Sequence, residues 1–191
     1  DSVDARLALA EALERTYDQA GAEQHLRKAA SQGGDSDSLI PRIALIMLDR
    51  KESAKVILEF KDRQLTSPEA DSNLRGIVAI AYADQRQYPP AEEQLKGATK
   101  NTATVQLARA QLLLVQGKKE QAVAALDSSL SEPNAPWWVL RALGRIQEAS
   151  GNHEAAFQLM TRAYEAVPWH QSIMGEYAEF LLVAGKLEQA I

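Results

Sequence analysis

The sequence predicts an all-α solenoid of antiparallel helix pairs. Three observations carry that prediction. Small residues recur at Ala10, Ala44, Ala79, Ala110, Gly144 and Ala178, in steps of 34, 35, 31, 34 and 34. A second set lies 12 residues after each of these, at Ala22, Val56, Ala91, Ala122, Ala156 and Ala190. A large apolar residue follows four positions later, at Leu26, Phe60, Leu95, Leu126 and Met160. A period near 34 with small residues at two fixed offsets belongs to stacked helix pairs, each too small to bury its apolar face alone.

Each period reads as helix A, a tight turn and helix B. The first small residue sits where A meets its own B, and the second where B meets the next A. A bulky side chain at either crossing overpacks it, at about 1–3 kcal/mol. The predicted repeats are 3–36, 37–71, 72–102, 103–136 and 137–170, with a partial sixth at 171–191, in one array over 1–191. In the fourth, fifth and sixth, Gly117, Gly151 and Gly185 follow helix A and suit a left-handed terminating residue. Tyr17, Lys51 and Arg86 stand there in the first three, so those turns are expected to end differently. The second repeat carries Pro41, expected within the first turn of its helix A, where proline is tolerated. It also has Val56 and Arg63 where small residues are usual, which predicts looser packing. Pro68 and Pro168 are expected to stop helix B. Pro89 and Pro90 sit at the start of the third helix B. The 31-residue step predicts a shortened helix end between Lys96 and Val105. The sixth helix A bears Met174, Tyr177, Phe180, Leu181 and Leu182, and only the stub GKLEQAI follows. With no initiator Met and a pattern cut mid-repeat, the chain reads as part of a longer protein.

The clearest copy runs from Trp138 to Pro168, WVLRALGRIQEASGNHEAAFQLMTRAYEAVP, with Leu140, Leu143, Gly144, Gly151, Ala156, Met160, Ala163 and Pro168 at its motif positions. Here the sequence resembles the tetratricopeptide-repeat (TPR) family, and the resemblance covers essentially the whole chain. It implies a right-handed superhelix and a concave face lined mainly by the A helices, on which a polypeptide is bound. On the family's groove positions the chain places Leu45, Leu48, Ile80, Ala83, Leu107, Leu114 and Val115 in the middle, an apolar stretch, with the polar Gln111 at a groove position of the fourth repeat. Asp4, Glu11 and Glu14 make the N-terminal end acidic, while Trp138, Arg141 and Arg145 form a basic and aromatic spot. An apolar groove suits a hydrophobic segment or an amphipathic helix, and a Trp beside two Arg matches the composition of interface hot spots. The alternative is that Trp138 covers the preceding repeat and the arginines pair with Glu148 or Glu179 in solvent, as surface ion pairs commonly do. The groove lacks the Lys and Asn arrangement by which chaperone-binding TPRs clamp a peptide carboxylate. It also lacks the Asn ladder of the TPR arrays in glycosyltransferases.

Composition excludes several function classes. Of 191 residues, 21 are Lys or Arg and 26 Asp or Glu, giving a net charge of −5, far from the basic footprint of a nucleic-acid binder. There is no cysteine, hence no disulfide, cysteine metal site or thiol chemistry. No apolar run approaches the roughly 20 residues of a membrane span. His25, His153 and His170 share no repeat position and no metal-ligand spacing, and no P-loop, GxSxG or HExxH is present. The reading is therefore a binding protein without metal, cofactor or catalytic residues. Homo-oligomerisation through the Met174–Leu182 face is a further possibility.

A narrower resemblance concerns DARLALAEALERTYDQAGAEQHLRKAASQG followed by IPRIALIML, and RGIVAIAYADQRQYPPAEEQLKGA. These segments look like TPR proteins of bacterial exopolysaccharide and PEP-CTERM sorting systems, in which a glycine-ended first repeat precedes a degenerate one, as Gly33 and Gly34 do here. That implies a place in the bacterial periplasm or envelope, in polymer export or protein sorting. The alternatives are a cytoplasmic bacterial adaptor and a self-assembling spacer.

Overall fold

The structure is a computed structural model that describes residues 2–126 and 135–183. Among these residues there are eleven α-helices and no strand. The chain divides into two compact units, Asp1–Leu112 and Leu113–Ile191.

The first unit contains α1 (Val3–Arg15), α2 (Gln19–Ser31), α3 (Ser36–Asp49), α4 (Ser53–Phe60), α5 (Pro68–Asp84), α6 (Tyr88–Gly97) and most of α7 (Ala103–Val115). Several of its helix starts, though not those of α4 and α6, are capped by short polar side chains that accept otherwise orphaned backbone N–H groups. Ser2 accepts from Ala5 N, Asp18 from Gly21 N and Ser67 from Ala70 N. The pairs α1–α2, α3–α4 and α5–α6 are A–B hairpins packed on small residues. Ala10, Ala22, Ala44, Val56, Ala79 and Ala91 are all buried at 0–2% exposure. Val56 is fully buried, so a larger residue is housed at that crossing in the second repeat.

The A-to-B turns correct one expectation. Tyr17, Lys51 and Arg86 lie at φ of 62°, 63° and 57°, in the same left-handed conformation as Gly117 and Gly151. All five turns share one hydrogen-bond pattern. The left-handed residue's N–H donates three residues back, and the next N–H five back, as in Lys51 N to Leu48 O and Glu52 N to Met47 O, both at 2.9 Å. A side chain in this region costs about 1–2 kcal/mol. The two closing bonds and the buried crossing between A and B hold the turn there regardless.

Both prolines of the second repeat also lie elsewhere than expected. α3 begins at Ser36, so Pro41 is its sixth residue, inside the helix rather than in its first turn. Pro68 does not stop a helix B. α4 already ends at Phe60, and Pro68 opens α5, where its missing N–H is no loss. The link between α4 and α5 is tied down by two carboxylates. Asp37 of α3 accepts from Thr66 N at 2.8 Å and Ser67 N at 2.7 Å, and Asp71 accepts from Leu65 N at 3.1 Å. α6 has 10 residues where α2 has 13, and that deficit of three matches the short repeat step before α7.

In the second unit, α8 (Lys119–Ala124) follows the Gly117 turn, and α9 (Trp137–Ala149), α10 (His153–Ala166) and α11 (Gln171–Val183) pack as a hairpin with a further helix. A Cβ on Gly144 would lie 3.0 Å from Met160 Cγ and 3.3 Å from the Ala156 carbonyl oxygen, so this glycine sets the close α9–α10 crossing. Phe157 and Tyr164, two turns apart on α10, stack against Tyr177 of α11 at 6.1 and 4.6 Å between ring centroids. α10 ends at Ala166, with Val167 as its C-cap and Pro168 next, as expected for a proline that stops a helix B. Gly185, Ala190 and the GKLEQAI stub lie outside the described residues.

Candidate partner-binding face

α3 shows most directly how a surface is left over once the core is built. Leu39, Ile40, Ile43, Ala44, Ile46 and Met47 are buried and form one face. Ser38, Pro41, Arg42, Leu45, Leu48 and Asp49 fall on the opposite face at helical spacing, and none of them is fully buried. Pro41, Leu45 and Leu48 therefore present apolar surface on the side away from the completed core.

Polar contacts frame this face. Arg42 donates through Nε and Nη2 to the two Glu14 oxygens, both at 2.8 Å, a bidentate pair that ties α3 to α1. Asp49 accepts from the Gln19 amide at the start of α2, and Asp84 accepts from Ser53 Oγ at the start of α4 at 2.9 Å. The last residue of an A helix thus latches to the first residue of the preceding B helix in two successive repeats. The interaction was not read from the sequence, although the Asp at that position in both repeats was its signal. The strongly charged network lies away from this face. Arg27 of α2 donates to Glu59 and Glu23, and Glu59 chiefly raises its pKa above the ordinary arginine value.

Two predicted groove residues are core instead. Ile80 is 6% exposed and Leu107 1%. The cause is Gly76, where a Cβ would come within 2.8 Å of Thr104 Cγ2 and 3.1 Å of the Thr104 carbonyl carbon. With no side chain at that position, α7 closes onto α5. Every residue from Gly76 to Tyr82, and from Ala103 to Ala108, is buried. Gln111, further along α7, is half-buried.

In the second unit, Leu114 and Trp138 are half-buried, while Val115 is 51% exposed. The two arginines differ. Arg141 of α9 is spent internally, its Nε donating at 3.0 Å to both Glu176 oxygens of α11 while Nη2 donates to Oε1. The Arg145 side chain is 64% exposed, and its Nε is 3.8 Å from Glu176. Glu148 pairs with His153 at 2.9 Å rather than with either arginine. Trp137, adjacent to Trp138, meets the buried His170 ring at 4.5 Å. Among the described residues, no cluster of His, Cys, Asp or Glu could hold a metal ion, and no helix is long and apolar enough to cross a membrane.

The family model described as "Tetratricopeptide repeat" matches residues 147–191. A thermophilic TPR protein of Thermus thermophilus is similar in structure over 95% of this chain and 100% of that one, with a TM-score of 0.67 and 17% identity, a likeness of fold. A tetratricopeptide repeat protein of Parabacteroides merdae aligns over 98% of this chain and 75% of that one, at 12% identity and a TM-score of 0.48, too low to add to the comparison. A search of curated proteins finds no match. The chain has the fold of the tetratricopeptide-repeat proteins and carries that family's repeat over residues 147–191.

Proposed function

We propose that this chain is a protein–protein interaction scaffold that holds a polypeptide segment against its A helices, and that it binds rather than catalyses. The observation that carries the reading is α3, whose buried face is complete without Leu45 and Leu48. In the second unit, Trp138 and the exposed Arg145 offer a further contact of the kind enriched at interfaces. Arg141 contributes to the scaffold through Glu176. Placement in a bacterial envelope assembly, such as exopolysaccharide export or protein sorting in the periplasm, is supported by the resemblance of the segments beginning at Asp4 and Arg75. A cytoplasmic adaptor is the alternative location. The exposed Met174 and Leu182 of α11, 48% and 51%, favour self-assembly as a second reading.

The test is selection of peptides from a displayed random library on the intact chain, followed by affinity measurement on the variant Leu45→Gln/Leu48→Gln. Selected peptides are expected to bind the variant at least tenfold more weakly, a loss of about 1.4 kcal/mol, while its circular dichroism stays helical. Unchanged affinity in a folded variant would remove α3 from the site.

A further inference from the structure

We infer that the segment held on the first unit's A-helix face is a basic amphipathic helix, an inference that rests on the α3 reading above. The apolar half of the argument is Leu45 and Leu48, which lie one turn apart on α3 and leave part of their surface uncovered. Two such residues suit the apolar stripe of a helix laid across them. The electrostatic half is an asymmetry on that face. Its two cations are Arg42, neutralised in a bidentate pair with Glu14, and Arg15, one turn beyond Glu11 on α1, against the four carboxylates Asp4, Glu11, Glu14 and Asp49. Two carboxylates on α1, Asp4 and Glu11, are exposed and have no cation partner among the described residues. They stand seven residues apart, two turns on one side of the helix, as Glu14 does one turn further on. Asp4 also sits in the first turn of α1, where a carboxylate suits the helix dipole. Glu11, in the middle of the helix, has no such role. The face therefore joins an uncovered leucine pair to an excess of carboxylates over cations. The net charge of −5 adds long-range attraction for a cationic partner. The complementary ligand carries leucine-type anchors on one side and Lys or Arg beside them.

The experiment uses the full chain and three labelled peptide probes of about 18 residues, five helical turns: a Leu/Lys amphipathic helix, its Leu/Glu counterpart with the same apolar stripe, and a Leu/Lys peptide of identical composition with the stripe scrambled. Binding is read by fluorescence anisotropy at low and high salt. The stripe-bearing Leu/Lys peptide is expected to bind at least tenfold tighter than either other probe. Its affinity should fall with salt, and should weaken about three- to tenfold on Asp4→Asn/Glu11→Gln, the range of two exposed charge pairs. The Leu45→Gln/Leu48→Gln variant should abolish its preference over the scrambled peptide. Equal binding of the Lys and Glu helices, with both lost on the leucine variant, overturns the basic partner and leaves the α3 site standing. Equal binding of the scrambled peptide overturns it as general charge attraction. If none of the probes binds, both the basic partner and the α3 reading fall.

Discussion

Gly76 and Gly175 hold the same position in repeats three periods apart, yet their surroundings differ completely. A Cβ at Gly76 would press on the Thr104 methyl and backbone, whereas a Cβ at Gly175 would meet nothing within 4 Å. Alanine is favoured over glycine within a helix by roughly 0.5–1 kcal/mol. Gly175→Ala is therefore expected to raise stability by up to about 1 kcal/mol. Gly76→Ala should lower it by about 1–3 kcal/mol through overpacking. Urea unfolding of the two variants should move in opposite directions; movement in the same direction would contradict the close α5–α7 approach. The neighbouring arginines on α9 separate in a similar way. Arg141→Glu places a like charge against the half-buried Glu176 and is expected to cost about 1–3 kcal/mol. Arg145→Glu, on an exposed side chain, should stay within about 0.5 kcal/mol. Comparable thermal shifts for the two would show that the Glu176 pair does not hold α11 to α9.

Among the elements, the link between α4 and α5 depends most on one side chain. Asp37 accepts two backbone N–H groups from the chain entering α5, and Asp37→Ala would leave Thr66 and Ser67 without those acceptors. A loss of about 1–3 kcal/mol is expected, with faster hydrogen exchange at the α5 N-terminus. Exchange there equal to wild type would mean that Ser67 and Asp71 suffice to hold the link. Much of this architecture was legible in the sequence, because backbone crossings admit only small residues and so stamp a period on the chain. The turns were less legible. Tyr17, Lys51 and Arg86 break the glycine pattern, but the hydrogen bonds and packing around them impose the same left-handed conformation. The face assignment failed at Ile80 and Leu107 for a related reason. Repeat position alone does not say how near the next A helix comes, and Gly76 brings α7 close enough to bury both. Leu45 and Leu48 remain partly uncovered on the side of α3 opposite its buried residues.

At the scale of the whole molecule, the repeat positions are filled by residues that build helix crossings and turns, and binding depends on what those crossings leave outside. Each unit leaves a different surface: apolar beside acidic on α1 and α3, and tryptophan beside arginine on α9. The most direct test of the central claim is a methyl NMR titration of the isotope-labelled chain with a selected peptide. The Leu45 and Leu48 methyl signals should shift in proportion to occupancy, while those of Leu58, 81% exposed on the B helix α4, should not move. Shifts confined to Leu58, or to Leu182 on α11, with Leu45 and Leu48 unmoved, would place the ligand elsewhere and contradict the proposed A-helix site.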